Sequence, residues 1–183
     1  NAVDIDVHGV EMLYGWRTST LELLASYACL DKSANYGGAD VDASFYALNF
    51  ARGEIIGVYD AEDRPDPNQI AQIVRRLDEV PQEVACLQGR LDYYNADHNL
   101  MSRLFTVEYA AWFRVLLPGV QRMGLVVPLG GTTLFLRRAA LERVGGWDAH
   151  NVTEDAELGL RLARVGYRTE LIRTTTFEEA NAA

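Results

Sequence analysis

Residues 54–67 read EIIGVYDAEDRPDP. Ile55, Ile56, Val58 and Tyr59 make a short apolar run of the kind a buried strand needs. The run stops at Asp60, and four carboxylates (Asp60, Glu62, Asp63 and Asp66) follow within seven positions. A helix then opens: Asp66 suits the N-cap, Pro67 the first helical position and Gln69 the third. Strand, acidic loop and helix in that order predict one unit of an α/β sheet, whose ligands bind beyond the carboxyl ends of the strands.

The alternation continues outward. Before the run, the spacing predicts a helix over 10–30, a loop over DKSANYGGAD (31–40) and a short helix over 41–52 closed by Gly53. After it, EVACLQG (83–89) is the next strand. An aromatic-rich helix over 99–117 follows, stopped by Pro118 and Gly119. Its Leu104, Phe105, Trp112, Phe113, Leu116 and Leu117 read mostly as core, with a share available to a membrane surface. TLFLRR (133–138) is a strand, AALERV (139–144) a short helix closed by Gly145 and Gly146, and Thr153 caps a last helix that ends at Gly166. YRTELI (167–172) is the final strand. The whole reads as an α/β sheet, at least partly parallel.

A chain of 183 residues, 49% hydrophobic and 23% charged, suits one globular domain rather than a disordered segment. Its net charge of -9, with no basic stripe, excludes a free duplex-binding protein, so no nucleic-acid partner is expected. An acidic protein that handles phosphates must neutralise them locally, with a metal or a few placed cations. Cys29 and Cys86 form no CxxC pair and read as reduced core thiols. His8, His98 and His150 lack metal-ligand spacing. The first residues lack the basic start and apolar run of a signal peptide, and the stretch 115–136 is broken by Pro118, Gln121, Arg122 and Pro128.

Two acidic segments carry the chemistry. At residues 60–66 one reading is a solvated turn with a helix cap. The other is a hard-cation site: Mg²⁺ or Mn²⁺ takes oxygen ligands and bridges one or two carboxylates to substrate phosphates. At residues 151–158 (NVTEDAEL) one reading is a well-made helix start, since the helix dipole favours acidic residues there. The other is a general base, because Asp155 at a helix start is rigidly placed to take a proton from a hydroxyl. Leu158, Leu162 and Val165 give that helix an apolar stripe. Arg137, Arg138, Arg161 and Arg164 read as surface or ion-pair residues, with Arg137 also a candidate for a phosphate.

Five stretches occur in one order: ALNFARGEIIGVYDAEDRPDP (47–67), LQGRLDYYN (87–95), PLGGTTLFLRRAALERVGGWD (128–148), NVTEDAELGLRLARVGYRTEL (151–171) and TTTFEEAN (174–181). In that order and spacing they resemble family 2 glycosyltransferases, in particular the membrane-bound, cellulose-synthase-like branch of bacteria. The resemblance covers about residues 46–181. It implies a glycosyltransferase A-type, Rossmann-like mixed sheet flanked by helices. It also implies inverting transfer of a sugar from a nucleotide-sugar donor, UDP-linked in the expectation, to a saccharide or lipid-linked acceptor in exopolysaccharide or cell-surface glycan synthesis. The family's DxD motif falls on Asp60-Ala61-Glu62, with Asp63 beside it. These three carboxylates are the implied donor contacts and the ligands of Mg²⁺ or Mn²⁺. The family's TED base falls on Asp155, with Glu154 next to it. Gly130, Gly131 and Thr132 match the acceptor-binding turn. Trp147 matches an aromatic near the acceptor, and a core role fits it equally well. Membrane association on the cytoplasmic face of the inner membrane is the implied setting of the full-length protein.

The chain departs from the family pattern in three places. Residues 1–45 carry no P-x-Y-N-E stretch, so they form an atypical segment ahead of a family-like core at 46–183. Ser44 stands where a Lys is usual. No Q-x-x-R-W follows FEEAN. The expectation is one catalytic domain, truncated, with the 183 residues alone poorly active. The alternative is a non-catalytic, glycosyltransferase-like nucleotide-binding or scaffold domain. A metal-dependent phosphohydrolase would leave the GGT and TED segments unexplained.

Overall fold

The computed structural model describes residues 53–60, 62–148, 151 and 153–180, together with the backbone of four strands ahead of them. Those strands are β1 (Met12–Arg17), β2 (Glu22–Tyr27), β3 (Ala34–Tyr36) and β4 (Ala39–Val41). The expected helix over 10–30 is thus replaced by an antiparallel pair that registers Met12 with Tyr27. The physical reason lies in the residues: Tyr14 and Trp16 favour strand, and Gly15 between them is a poor helix former. The expected loop over 31–40 contains the β3–β4 pair. Its intervening Gly37-Gly38 is a sequence that hairpin turns favour. The helix expected over 41–52 lies outside the described residues apart from Val41, as do Cys29, His8 and His150.

The remaining elements are β5 (Ile55–Val58), β6 (Arg64–Pro65), α1 (Gln69–Glu79), β7 (Val84–Tyr93), α2 (Leu100–Ala111), α3 (Leu117–Arg122), β8 (Leu134–Arg137), α4 (Arg138–Arg143), α5 (Glu154–Arg164) and β9 (Arg168–Glu178). The seven-stranded sheet runs β1-β2-β5-β8-β7-β9-β6. β8 is antiparallel to both its neighbours, with Leu134 opposite Val58 on one side and Gln88 on the other. β9 is parallel to β7 and ends with Glu178 opposite Tyr93. The carboxyl ends of β5, β7 and β9 therefore share one end of the sheet with the start of β8. That end carries the acidic loop.

Alternation along the strands fills two layers. Leu134 and Leu136 face a core with Ile56, Cys86, Leu141, Trp147, Leu158 and Leu162. Phe135 faces the other way, onto Ile55, Ile73, Leu77, Val84 and Leu87. Full burial of each such side chain contributes about 1.5–3 kcal/mol. Cys86 is a free, buried thiol, and burial pushes its pKa up to about 12.

Helix boundaries differ from expectation where side chains found other partners. α1 begins at Gln69, after Asn68; Asp66 accepts instead from the Asn68 N–H at 2.8 Å, two residues on. The Thr153 hydroxyl makes no cap bond, because both its N–H and its Oγ1 turn to Asn151 Oδ1, at 3.0 and 3.2 Å. The helix expected to stop before Pro118 runs from Leu100 to Arg122 through a π-helical segment, Trp112–Leu116. The wider turn leaves Pro118 in the first turn of the renewed helix, where its missing N–H is tolerated. Reading that helix as mostly core is corrected accordingly. Phe113 and Leu117 are buried, whereas Leu104, Trp112 and Leu116 are exposed. No helix among the described residues is long and apolar enough to cross a membrane.

Candidate active site

The acidic loop is drawn together by Asp63. Its Oδ2 accepts from the Asp60 N–H at 2.8 Å and from the Thr132 hydroxyl, while Asp63 N–H donates to the Asp60 carbonyl at 3.1 Å. The Asp60 N–H also reaches Thr132 Oγ1 at 3.2 Å. Asp63 Oδ1 is buried and has no hydrogen-bond partner among the described residues. Burial, then the charges of Asp63 and Glu62, push Asp60 up to about 6. Asp63 is also raised, chiefly by burial, against the opposing pull of its Thr132 and Asp60 bonds. A loop with an orphaned carboxylate oxygen and mutually repelling acids has the chemistry of a hard-cation site. Its ligand set is narrower than the sequence suggests. Among the described residues no three His, Cys, Asp or Glu side chains converge as a metal cage. The reason is visible at Asp63, whose Oδ2 is committed to the loop itself. One or two carboxylates completed by phosphate oxygens is the usual mode for Mg²⁺.

Asp155 lies in the first turn of α5. Its Oδ1 accepts from the Trp147 indole N–H at 2.9 Å. Its Oδ2 sits 3.3 Å from where a Cβ on Gly131 would be, so a side chain at that position would crowd the carboxylate. Trp147 is in the core, 4% exposed, and meets the site through its N–H edge. Glu154 opens α5 beside Asp155, and Glu62 is exposed on the acidic turn.

The turn before β8 joins the two acidic groups: Thr132 bonds Asp63, and Gly131 abuts Asp155. Gln88 on β7, fully buried, holds that turn from below. Its Oε1 accepts from the Gly130 N–H at 2.9 Å and its Nε2 donates to the Thr132 carbonyl at 3.1 Å. A second buried amide, Gln69, gathers the Tyr59 hydroxyl and Thr176 Oγ1 on its Oε1 and donates to Thr174 at 2.6 Å. Tyr59 immediately precedes Asp60, so this network anchors the root of the loop. From the end of β9, Glu178 lies close to the Tyr93 and Tyr109 hydroxyls. Burial, then the charge of Asp63, raises its pKa, with smaller contributions from Asp60 and Glu62.

The structure thus brings Asp60, Asp63, Gly130, Gly131, Thr132, Trp147 and Asp155 into one region. Sequence reasoning missed Gln69, Gln88, Thr133 and Glu178. Glu178 lies in the quoted TTTFEEAN stretch, which was the available signal. Arg137, the candidate for a phosphate, turns toward backbone carbonyls instead. Its guanidinium is spent on the Val84, Leu77 and Val80 carbonyls, the last two at the end of α1. Arg138 donates to the Gly53 carbonyl, and Arg161 pairs with Glu157 and the Val144 carbonyl.

The chain is similar to known glycosyltransferases in sequence and in fold. The chain is 26% identical over 138 residues to a probable glycosyltransferase, YdaM, of Bacillus subtilis, covering 75% of this chain and 33% of that protein. It is 30% identical over 137 residues to a beta-monoglucosyldiacylglycerol synthase of Trichormus variabilis, covering 73% and 28%. A probable glucomannan 4-beta-mannosyltransferase of Arabidopsis thaliana is 28% identical over 115 residues, covering 63% and 21%, in keeping with the cellulose-synthase-like branch. The chain therefore spans about a third or less of the length of these relatives. Among solved structures, a mannosyltransferase of Pyrobaculum calidifontis in complex with GDP-Man and Mn²⁺ superposes with a TM-score of 0.54 at 20% identity, covering 76% of this chain and 36% of that one. TarS of S. aureus, in complex with UDP-GlcNAc, gives 0.51 at 14%, covering 75% and 38%. These place the fold in the glycosyltransferase A class. The family model for glycosyl transferase family group 2 matches residues 55–182, most of the chain, and the chain belongs to that family.

Proposed function

We propose that this chain is the metal- and acceptor-side part of a single glycosyltransferase catalytic domain, which transfers a sugar from a nucleotide-sugar donor to a saccharide or lipid-linked hydroxyl with inversion. The observation that supports it most is the Gly131–Thr132 turn, which contacts an acidic donor-side loop and a helix-start carboxylate at once. One or two of the carboxylates of Asp60, Glu62 and Asp63 would hold Mg²⁺ or Mn²⁺, completed by phosphate oxygens, and the bound cation would neutralise the departing diphosphate. Asp155 accepts the proton of the acceptor hydroxyl. The acceptor oxygen forms its bond to the anomeric carbon as the bond to the diphosphate oxygen breaks. The nucleoside diphosphate leaves with that electron pair, and one direct displacement inverts the centre. Trp147 orients Asp155 by occupying Oδ1. Gly131, lacking a side chain, keeps the turn from crowding Oδ2, and Glu154 stands beside Asp155 at the helix start. Membrane association of the full-length protein, a cell-surface glycan product and a UDP-linked donor belong to the same proposal.

The test is a transfer assay on the intact protein with UDP- and GDP-sugars and Mn²⁺, the product's anomeric configuration being read by NMR. An inverted product is expected. A retained configuration, or turnover undiminished by chelation, would contradict the proposal. The 183 residues alone should transfer poorly, because catalysis requires donor and acceptor to be held together.

A further inference from the structure

Thr133 is the one non-glycine among the described residues with a positive φ, 53°. For a β-branched residue this backbone conformation is an outlier. Strain of this kind persists where the surroundings enforce it, and such sites cluster where geometry matters for function. The surroundings here are specific. Thr133 is fully buried, and its Oγ1 lies 2.9 Å from Thr176 Oγ1 on β9. Its carbonyl accepts from the Gly89 N–H at 2.9 Å on β7. A Cβ on Gly89 would come within 2.5 Å of Thr133 Oγ1, so β7 needs glycine at that point. Immediately before Thr133, the Gln88 amide grips both Gly130 and Thr132.

The two residues this lock orients are the ones that touch the acidic groups. We propose that Thr133 is a positioning residue: its enforced backbone fixes the Gly131–Thr132 turn so that Asp63 on the donor side and Asp155 on the acceptor side are held in a single geometry. This rests on the glycosyltransferase reading above and adds a residue with no substrate contact of its own. Thr176 is its partner in the lock, since the Thr133–Thr176 hydroxyl bond ties the turn to β9. Relaxing φ at Thr133 would rotate Gly131 and Thr132 together, disturbing both acidic groups with one change.

The experiment uses the intact protein with ¹⁵N-labelled tryptophan and two readouts that need no turnover. The Trp147 indole N–H resonance reports on Asp155, to which that N–H donates. Calorimetric affinity for UDP or GDP with Mn²⁺ reports on the Asp63 side. Thr133→Val keeps the branched shape and deletes the hydroxyl. Thr176→Val deletes the same bond from its other end, and decides the matter if Thr133→Val does not fold. Thr133→Ser keeps the hydroxyl. Each valine variant should move the Trp147 resonance and weaken nucleotide binding about 10-fold, the scale of lost supporting interactions at metal sites, while Thr133→Ser restores both. A Trp147 resonance unmoved in both valine variants would sink the positioning role, whatever nucleotide does. Wild-type protein that binds neither nucleotide would instead sink the glycosyltransferase reading.

Discussion

The two acidic segments hold the same kind of side chain in opposite surroundings. At residues 60–63 carboxylates face carboxylates: Asp60 is raised to about 6 by burial and by its neighbours, and one oxygen of Asp63 is buried without a partner among the described residues. At the start of α5, Glu154, Asp155 and Glu157 sit where a helix terminus favours negative charge, with Trp147 donating to Asp155 and Arg161 pairing with Glu157. The difference separates two roles. A loop that opposes its own ionisation gains from a cation; a helix start that supports its carboxylate can present it as a base.

The largest expected effect breaks the comparison at the helix. Asp155→Asn keeps shape and removes the proton acceptor, so turnover in the intact enzyme should fall by about 10²–10⁴ while donor affinity stays near wild type. Retained turnover with lowered stability would remove Asp155 from the mechanism and make Glu154 or Glu157 the next candidate.

A smaller effect sharpens the loop side through pH. Asp60 titrates near 6 in the folded protein against 3.8 ordinarily, so between those values the folded state holds more protons than the unfolded one. Its contribution to stability therefore falls as pH rises through that window, and stays lost above it. Thermal melts of the metal-free protein should show Asp60→Asn gaining on wild type as pH rises from 4 to 7. A proton on Asp60 also competes with a cation, so affinity for a Mn²⁺–nucleotide complex should rise as pH passes 6. An affinity flat from pH 5 to 7 would take Asp60 out of the ligand set.

The smallest effect is at Glu154. Glu154→Gln removes a favourable dipole interaction worth about 0.3–1 kcal/mol, a slight drop in melting temperature with no selective loss of turnover. A loss matching that of Asp155→Asn would instead give Glu154 a direct part in the chemistry.

Much of this was legible in the sequence because the signals are local. The apolar runs that became β5 and β8, the glycines at 145, 146 and 166, and both acidic segments lie within a few residues of the features they imply. The remainder depends on distant partners. Thr132 meets Asp63 across 69 positions, Gln88 meets Thr132 across 44, and Gln69 meets Thr176 across 107. A buried amide looks like a surface residue until its partners are placed. The π-helical segment before Pro118 is hidden for another reason: a 3.6-residue period cannot show where the helix widens, and a mostly core reading did not separate the exposed Leu104, Trp112 and Leu116 from the buried Phe113 and Leu117. The positive φ of Thr133 likewise depends on distant partners, Gly89 on β7 and Thr176 on β9.

The most direct test of the central claim, that one acidic segment serves the donor and the other the acceptor, is a calorimetric titration of the intact protein with UDP and GDP in the presence of Mn²⁺. Three forms are compared: wild type, Asp60→Asn with Glu62→Gln, and Asp155→Asn. The expected result is Mn²⁺-dependent binding to wild type, similar binding to Asp155→Asn and a loss of about 10–100-fold in the double variant. Unchanged binding in the double variant, or an equal loss in Asp155→Asn, would contradict the division of roles.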